Sequence, residues 1–190
     1  MMISEAAIKA LSTIEGIAEK AYLDVAGKLT VGVGHLITPM DINLERVTGK
    51  PAESFRVGTQ ISIEEVAELL HLDLRRFEVA IDDLVEVSLS QWEFDALVLF
   101  VFNVGVEAFR KSTLLKLINA DAFDKAALEF ARWTIAGGKK VAGLINRRAL
   151  EKQMFIYPEI SLDKEPFVKD SDRKFITKVV LDYRKAIVGE

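Results

Sequence analysis

Residues 15–35 read E-G-I-A-E-K-A-Y-L-D-V-A-G-K-L-T-V-G-V-G-H, and this stretch decides the fold. An amphipathic run precedes it, with apolar residues at the helical spacing of Ile8, Leu11 and Ile14. After Glu15 the pattern changes to strand-like segments on either side of a glycine-containing turn at residues 26–28. The pattern therefore predicts a helix that ends at Glu15 and is followed by a β-hairpin.

The predicted helix end and hairpin carry two carboxylates and a hydroxyl, those of Glu15, Asp24 and Thr30. Opening a glycosidic bond needs a protonated acid for the leaving oxygen and an ionised carboxylate near the anomeric carbon. The negative end of the helix dipole disfavours a charged Glu15, which suits the residue that holds the proton. Charged residues make up 28% of the chain, so solvated surface carboxylates are the alternative explanation of this spacing taken alone.

The spacing resembles the catalytic signature of the bacteriophage-type lysozymes, glycoside hydrolase family 24. Asp24 follows Glu15 by nine residues, and Thr30 follows six further on and opens T-V-G-V-G-H. Members of this family cut the β-1,4 bond between N-acetylmuramic acid and N-acetylglucosamine in peptidoglycan. The resemblance implies Glu15 as general acid, Asp24 as the carboxylate facing the anomeric centre, and Thr30 as a holder of the attacking water. Val33 departs from the pattern, because many members carry an aromatic residue there.

Later blocks resemble the same enzymes in the same order: F-D-A-L-V-L-F-V-F-N-V-G, F-R-K-S-T-L-L and W-T-I-A-G-G-K-K-V-A-G-L-I-N-R-R. The resemblance runs from about residue 8 to about residue 157. We expect an α+β, predominantly helical, lysozyme-like domain over residues 1–157. A small β-hairpin lobe at about 15–62 would be joined by a long helix to a larger helical lobe at about 85–157, which also takes in the N-terminal helix.

Two serine–glutamate capping boxes predict helix starts in this region. Ser62 with Glu65 opens an apolar pattern of helical period that continues to Val85, and Ser90 with Glu93 opens a run that is apolar on all sides. Such an all-round apolar helix belongs in the centre of a lobe. The sequence also predicts a glycine cap at Gly105, helices at 41–47, 112–119, 122–133 (capped by Asp121) and 143–157, and a loop at 136–139.

Four residues are candidates for contact with the sugar chain. Leu36, Phe102 and Ser112 match positions that make such contacts in the family, and Asn103 adjoins them. Phe102 could equally be core, since it ends a buried helix, and Asn103 could either cap that helix or bind an N-acetyl group. Ser112 is also a candidate N-cap of the next helix.

His35 invites a catalytic interpretation, but we expect a structural ion pair with Asp73, because the family carries a histidine-pairing aspartate at that position. The chain has two histidines, no cysteine and no H-E-x-x-H pattern, which argues against a catalytic zinc ion. No phosphate-binding glycine pattern is present either. We therefore predict no metal, no organic cofactor and no nucleic-acid partner.

The net charge of −4 is unevenly distributed. Residues 61–102 contain ten acidic residues and two arginines, whereas residues 103–157 contain ten basic and five acidic residues. The basic segment could attract an acidic wall polymer, although ordinary solvated helix faces explain it as well. Arg147 and Arg148 are expected on a helix surface, where they could contact wall carboxylates.

Targeting and assembly signals are few. The first residues lack a basic region followed by an apolar run, and the longest apolar run, residues 96–102, is far below the roughly 20 residues that span a bilayer. We expect a monomer made in the host cytoplasm without a signal peptide and without stable membrane insertion. The resemblance implies that it reaches the wall through a membrane pore or by virion delivery.

Residues 158–190 lie outside the resemblance. A charged linker between Pro158 and Pro166 precedes a predicted helix from Ser171, whose apolar stripe is Phe175, Ile176, Val179, Val180, Tyr183 and Ile187. An amphipathic face of this kind needs a covering surface, either the main domain or a protein partner.

The predicted function is peptidoglycan hydrolysis leading to lysis of the host cell wall. One alternative is a lytic transglycosylase on the same fold, which forms an anhydro product; Asp24 argues against it, because that reaction can run with one acid and no directed water. The other alternative is a non-enzymatic virion or interaction protein that retains a lysozyme fold.

Overall fold

A computed structural model describes residues 1–156, so the predictions for the linker and the C-terminal amphipathic helix lie outside the described residues. The fold is α+β and predominantly helical, as predicted. The helices are α1 (Glu5–Glu15), α2 (Ile42–Thr48), α3 (Ile63–Leu84), α4 (Gln91–Val104), α5 (Val106–Arg110), α6 (Thr113–Asn119), α7 (Phe123–Glu129) and α8 (Ala142–Ile156). The strands are β1 (Ala18–Leu23), β2 (Leu29–Gly32), β3 (His35–Leu36), β4 (Ile135–Ala136) and β5 (Lys139–Lys140).

The described chain falls into two compact units. One begins at Ile8 and ends at Arg75, and it holds the sheet formed by β1, β2 and β3. The other combines Met1–Ala7 with the described residues from Arg76 to residue 156. The boundary between the units falls inside α3, so this helix contributes residues to both. None of the helices within residues 1–156 is long and apolar enough to cross a membrane.

The sheet of the first unit has three antiparallel strands in the order β1-β2-β3, where the sequence predicted a two-stranded hairpin. The prediction missed β3, because it continued β2 through Gly34. Gly32 and Gly34 both have positive φ angles, +67° and +70°, which glycine adopts without strain. These two glycines turn the chain back, so that Val31 pairs with His35.

The core of the second unit is built around α4. Its predicted capping box is confirmed, since Ser90 Oγ accepts from the Glu93 N–H and the Glu93 side chain accepts from the Ser90 N–H. Gly105 is its C-cap, with φ +86°. Residues 94–101 are all buried, as expected of a helix that is apolar on every side. The Phe100 ring meets three aromatic neighbours edge-on, those of Phe109, Phe130 and Trp133.

Two local predictions in this unit were wrong. Asp121 does not cap α7: its N–H donates to Ile118 O and its φ is +56°, so it closes the last turn of α6, and Ala122 is the N-cap. Residues 136–139 are not an open loop, because Gly137 and Gly138 take positive φ angles and join β4 to β5 in a tight hairpin. The short helix α5 was also missed, since five residues are too few to show a helical period.

Arg147 and Arg148 are buried, which corrects their expected place on a helix surface. Their exposed fractions are 6% and 1%, and that of Glu151 is 0%. Glu151 lies one turn further along α8, where its carboxylate faces both guanidinium groups: Arg147 Nε donates to Oε1 at 3.1 Å, and Arg148 Nε lies 3.2 Å from Oε2. Arg147 also donates to the carbonyl oxygen of Leu99, which fastens α8 to α4.

We predict that Glu151→Gln lowers the free energy of unfolding by about 3 kcal/mol, because it leaves two buried guanidinium groups without their shared carboxylate. Urea denaturation of the wild type and the variant measures this loss. Glu129→Gln is the matched control, since its partner Arg132 is 73% exposed. That variant should change stability by less than about 1 kcal/mol. Equal losses from both substitutions would contradict the role given to the buried cluster.

Candidate functional site

Glu15 is the last residue of α1, and its position is fixed by the way that helix ends. The Gly16 N–H donates to Ser12 O at 2.9 Å, and Gly16 has φ +77°. A glycine in this conformation stops a helix sharply. Glu15 is half-buried, so its carboxyl group sits at a fixed helix end while keeping access to solvent.

Asp24 directly follows β1 and organises the turn that leads into β2. Its Oδ1 accepts two hydrogen bonds of 2.8 Å, from the N–H groups of Ala26 and Lys28. The Asp24 N–H in turn donates to Lys28 O, and the Gly27 N–H donates to Asp24 O. Both side-chain bonds fall on one oxygen, which leaves Oδ2 available to a ligand.

Thr30 lies at the centre of a row of residues across the sheet. It is opposite Tyr22 on β1 and opposite Leu36 on β3. Directly opposed residues of antiparallel strands project their side chains to the same face. The structure therefore aligns the predicted water-holding residue with the predicted sugar contact Leu36, which is 40% exposed, while Thr30 is 4% exposed.

Tyr22 links this row to the two carboxylates. Burial raises the pKa of the Tyr22 phenol, and the negative charges of Glu15 and then Asp24 raise it further. Both charges thus reach the phenol of the residue that is paired with Thr30 across the strands. The sequence analysis did not single out Tyr22 as this shared neighbour. The available signal was its place on β1, two residues before Asp24, because alternate residues of a strand share a face.

The other predicted sugar contacts lie in the second unit. Phe102 is half-buried, and its ring packs on Phe77 with centroids 5.4 Å apart, so it has partly the character of core. Asn103 is exposed, and its Oδ1 accepts from Arg148 Nη2 at 2.6 Å. Ser112 is buried and caps α6, with Oγ accepting from the Leu115 N–H at 3.0 Å.

His35 lies between two aspartates. Its Nδ1 is 2.7 Å from Asp73 Oδ2 on α3, and its Nε2 is 2.9 Å from Asp41 Oδ2. Asp41 was missed by the sequence analysis as a histidine partner; it also caps α2 through the Leu44 N–H. Ionised carboxylates only accept hydrogen bonds, so both ring nitrogens must donate, which makes the ring a cation. Burial lowers the pKa of His35, but the hydrogen bonds and charges of Asp73 and Asp41 more than reverse that effect and raise it overall.

No group of three or more histidine, aspartate or glutamate side chains within residues 1–156 is arranged to hold a metal ion. The paired aspartates around His35 are occupied by the imidazole itself.

We predict that the His35 ion pairs make stability depend on pH. Because the pKa of His35 is raised in the folded state, the pairs stabilise fully below the unfolded value of about 6.5, and this contribution is lost as the pH rises through the raised pKa. Asp73→Asn should therefore cost about 3 kcal/mol at about pH 5.5 and less at about pH 9. Urea denaturation at a series of pH values measures the difference.

An NMR titration of the two histidines checks the cause directly. His35 should titrate above about 6.5 in the wild type and at least about one unit lower in Asp73→Asn. His71, which lies elsewhere on α3, supplies the internal reference signal. An unchanged His35 titration in Asp73→Asn would contradict the assignment of the His35–Asp73 ion pair.

Comparisons with known proteins agree with this fold. The Phage lysozyme family model matches residues 12–151, which include Glu15, Asp24 and Thr30. The endolysin of Bacillus phage B103 is 36% identical over 182 residues, covering 95% of this chain and 64% of that protein. The endolysin of Salmonella phage P22 is 39% identical over 157 residues, covering 82% of this chain and 99% of that protein. A crystal structure of a P22 lysozyme mutant superposes with a TM-score of 0.69 at 36% identity, covering 83% of this chain and 99% of that one.

The chain spans less than two thirds of the length of the Bacillus phage relatives it matches. The family match nevertheless covers most of this chain and includes both carboxylates and the hydroxyl of the site. The chain therefore belongs to the phage lysozyme family.

Proposed function

We propose that this chain is a peptidoglycan hydrolase that cleaves the β-1,4 bond between N-acetylmuramic acid and N-acetylglucosamine. The observation that carries the proposal is the placement of Glu15 at the end of α1 and of Asp24 at the β1–β2 turn, with Tyr22 near both charges and paired with Thr30 across the strands. Two carboxylates and a hydroxyl on neighbouring elements are the groups that glycoside hydrolysis requires. The family relationship and the P22 lysozyme structure support the same reaction.

Glu15 is the general acid in this proposal. It is the last residue of α1, so its carboxyl group has a fixed position from which it can deliver a proton to the leaving oxygen. The half-buried position limits its solvation while still allowing a sugar to approach.

Asp24 and Thr30 act at the anomeric carbon and on the attacking water, rather than at the leaving oxygen. The two N–H donors on Asp24 Oδ1 suit an ionised carboxylate and hold it in one orientation, so Oδ2 can face the developing positive charge or an attacking water. The Thr30 hydroxyl donates to Lys28 O at 3.1 Å. Its lone pairs are then left to accept a proton of that water, which orients the water oxygen toward the sugar.

The remaining predicted residues form the proposed substrate contacts. Leu36 presents apolar surface in the row with Thr30, and Phe102, Asn103 and Ser112 would contact the glycan from their own unit. The proposed chemistry uses only side-chain proton transfers, so it requires neither a metal nor an organic cofactor. We propose that the protein works as a monomer on the cell wall.

We predict that Glu15→Gln reduces the rate of clearing of a cell-wall suspension by at least about a hundredfold, because general acid catalysis contributes about 10² to 10⁴. Turbidity measures the clearing rate. Glu19→Gln removes the same charge from half-buried β1 and should leave the rate within about twofold, since no catalytic role is assigned to it. Thermal unfolding of both variants verifies that they are folded. Equal clearing by the wild type and Glu15→Gln would contradict the assignment.

The products of the same digestion separate the proposal from transglycosylation. Hydrolysis in ¹⁸O-labelled water places the label at the new reducing end, whereas a transglycosylase forms an unlabelled anhydro sugar that lacks one water. We expect labelled reducing ends throughout. Anhydro products would show that Asp24 and Thr30 do not direct a water.

A further inference from the structure

A hollow of about 380 Å³ opens at the end of α4, within the second unit. Arg76, Phe77, Phe102 and Asn103 line it together with residues 104–106. Two of these residues, Phe102 and Asn103, are proposed sugar contacts, but Arg76 and Phe77 have no role in the proposed reaction.

The floor of the hollow is aromatic and carries a guanidinium group. Phe77 is 5% exposed and packs on Phe102 with the ring planes tilted by 56°. The Arg76 Cζ lies 4.6 Å from the centre of the Phe77 ring. A guanidinium held face-on to a ring keeps its N–H groups at its edge, where they can donate to a planar acceptor. Arg76 is itself exposed, so this edge is accessible to a ligand.

Asn103 adds a second donor to the hollow. Its amide oxygen accepts from Arg148 Nη2 at 2.6 Å, and because a guanidinium group can only donate, this bond fixes which end of the amide faces Arg148. The Asn103 NH₂ group is left to donate. Both polar side chains of the hollow therefore offer donors, one of them charged, and none of the lining residues found within residues 1–156 is acidic. A carboxylate satisfies this arrangement best.

We propose that the hollow binds a carboxylate carried by the lactyl substituent of a muramic acid residue, with Arg76 as the residue that determines this specificity. The inference rests on the proposed function, since it takes peptidoglycan as the substrate. The lactyl group carries either its own free acid or a peptide with acidic groups, and both sources offer the same planar anion. Arg76 belongs to an otherwise acidic stretch, because residues 61–102 contain ten acidic residues against two arginines. Arg76 is therefore one of two arginines in an acidic stretch, and it lies beside a proposed sugar contact.

Steady-state hydrolysis of three soluble glycan substrates tests the proposal. The first bears intact peptides with free carboxylates, the second has those carboxylates converted to primary amides, and the third lacks the peptides and keeps only the lactyl acid. If the peptide supplies the anion, amidation should raise the wild-type KM about fivefold without changing kcat, as expected when one exposed charged contact is lost. Arg76→Gln should show the raised KM on the first substrate and no further increase on the amidated one. Arg76→Lys should recover part of the preference, because it keeps the charge but loses the planar donor edge.

The third substrate identifies the source of the anion. A KM below that of the amidated substrate, and raised by Arg76→Gln, shows that the hollow accepts the lactyl acid; a KM near that of the amidated substrate assigns the anion to the peptide. Arg110→Gln removes the same charge from a 52% exposed site paired with Glu107, outside the hollow, and should leave the wild-type preference intact.

Two results would overturn the inference while leaving the proposed function standing: a wild type whose KM is the same on all three substrates, or an Arg76→Gln variant that still discriminates among them as the wild type does. A loss confined to kcat on every substrate would equally overturn it, since that would reflect misplacement of the reaction centre rather than recognition. Failure of the wild type to cleave any of the three substrates would overturn the proposed function and this inference with it.

Discussion

The two hydrogen bonds that Asp24 Oδ1 accepts from the Ala26 and Lys28 N–H groups are the constraint on which the proposed active site depends. They close the β1–β2 turn and so determine the register that places Tyr22 opposite Thr30. The same bonds hold the carboxylate in one orientation. One oxygen of Asp24 thus maintains the turn, and the other is presented to the site. A carboxylate that is part of its own scaffold needs no reorganisation when charge develops nearby.

A second electrostatic group secures the far side of the sheet. His35 on β3 reaches Asp73 on α3 and Asp41 at the start of α2, so three elements meet at one buried cation. Its neighbour Leu36 is the residue that β3 contributes to the row containing Thr30. The ion pairs therefore act on function indirectly, by holding the strand that carries a proposed sugar contact. The buried Arg147–Glu151–Arg148 cluster has a comparable structural place in the other unit, where it joins α8 to α4.

Sequence reasoning was accurate wherever the local pattern carried its own physical cause. The Ser90–Glu93 capping box, the end of α1 at Glu15 and the Gly105 cap were predicted because each depends on neighbouring residues alone. The spacing of Glu15, Asp24 and Thr30 gained its meaning from the family resemblance, and the structure supplies their common neighbour, Tyr22.

The misses concern backbone conformations and side-chain contacts that the residue pattern does not display. The sequence predicted Gly32 and Gly34 as residues of one continuous strand. In the structure their positive φ angles turn the chain back, and the third strand follows. Arg147 and Arg148 read as surface residues, because a sequence does not show that one glutamate on the next turn neutralises both. Asp121 has the composition of an N-cap, but its N–H is already bound to the preceding helix. The sequence did not predict a binding role for Arg76, since only the fold places it over Phe77 and beside Asn103.

The assignment of Glu15 as proton donor is tested most directly with a glycan substrate whose leaving group is dinitrophenol, which departs without protonation. If Glu15 supplies the proton, Glu15→Gln should cleave this substrate at a rate within about tenfold of the wild type while remaining impaired by at least about a hundredfold on natural glycan. Equal impairment on both substrates would contradict the account, because it would show that Glu15 acts on some step other than proton transfer to the leaving oxygen.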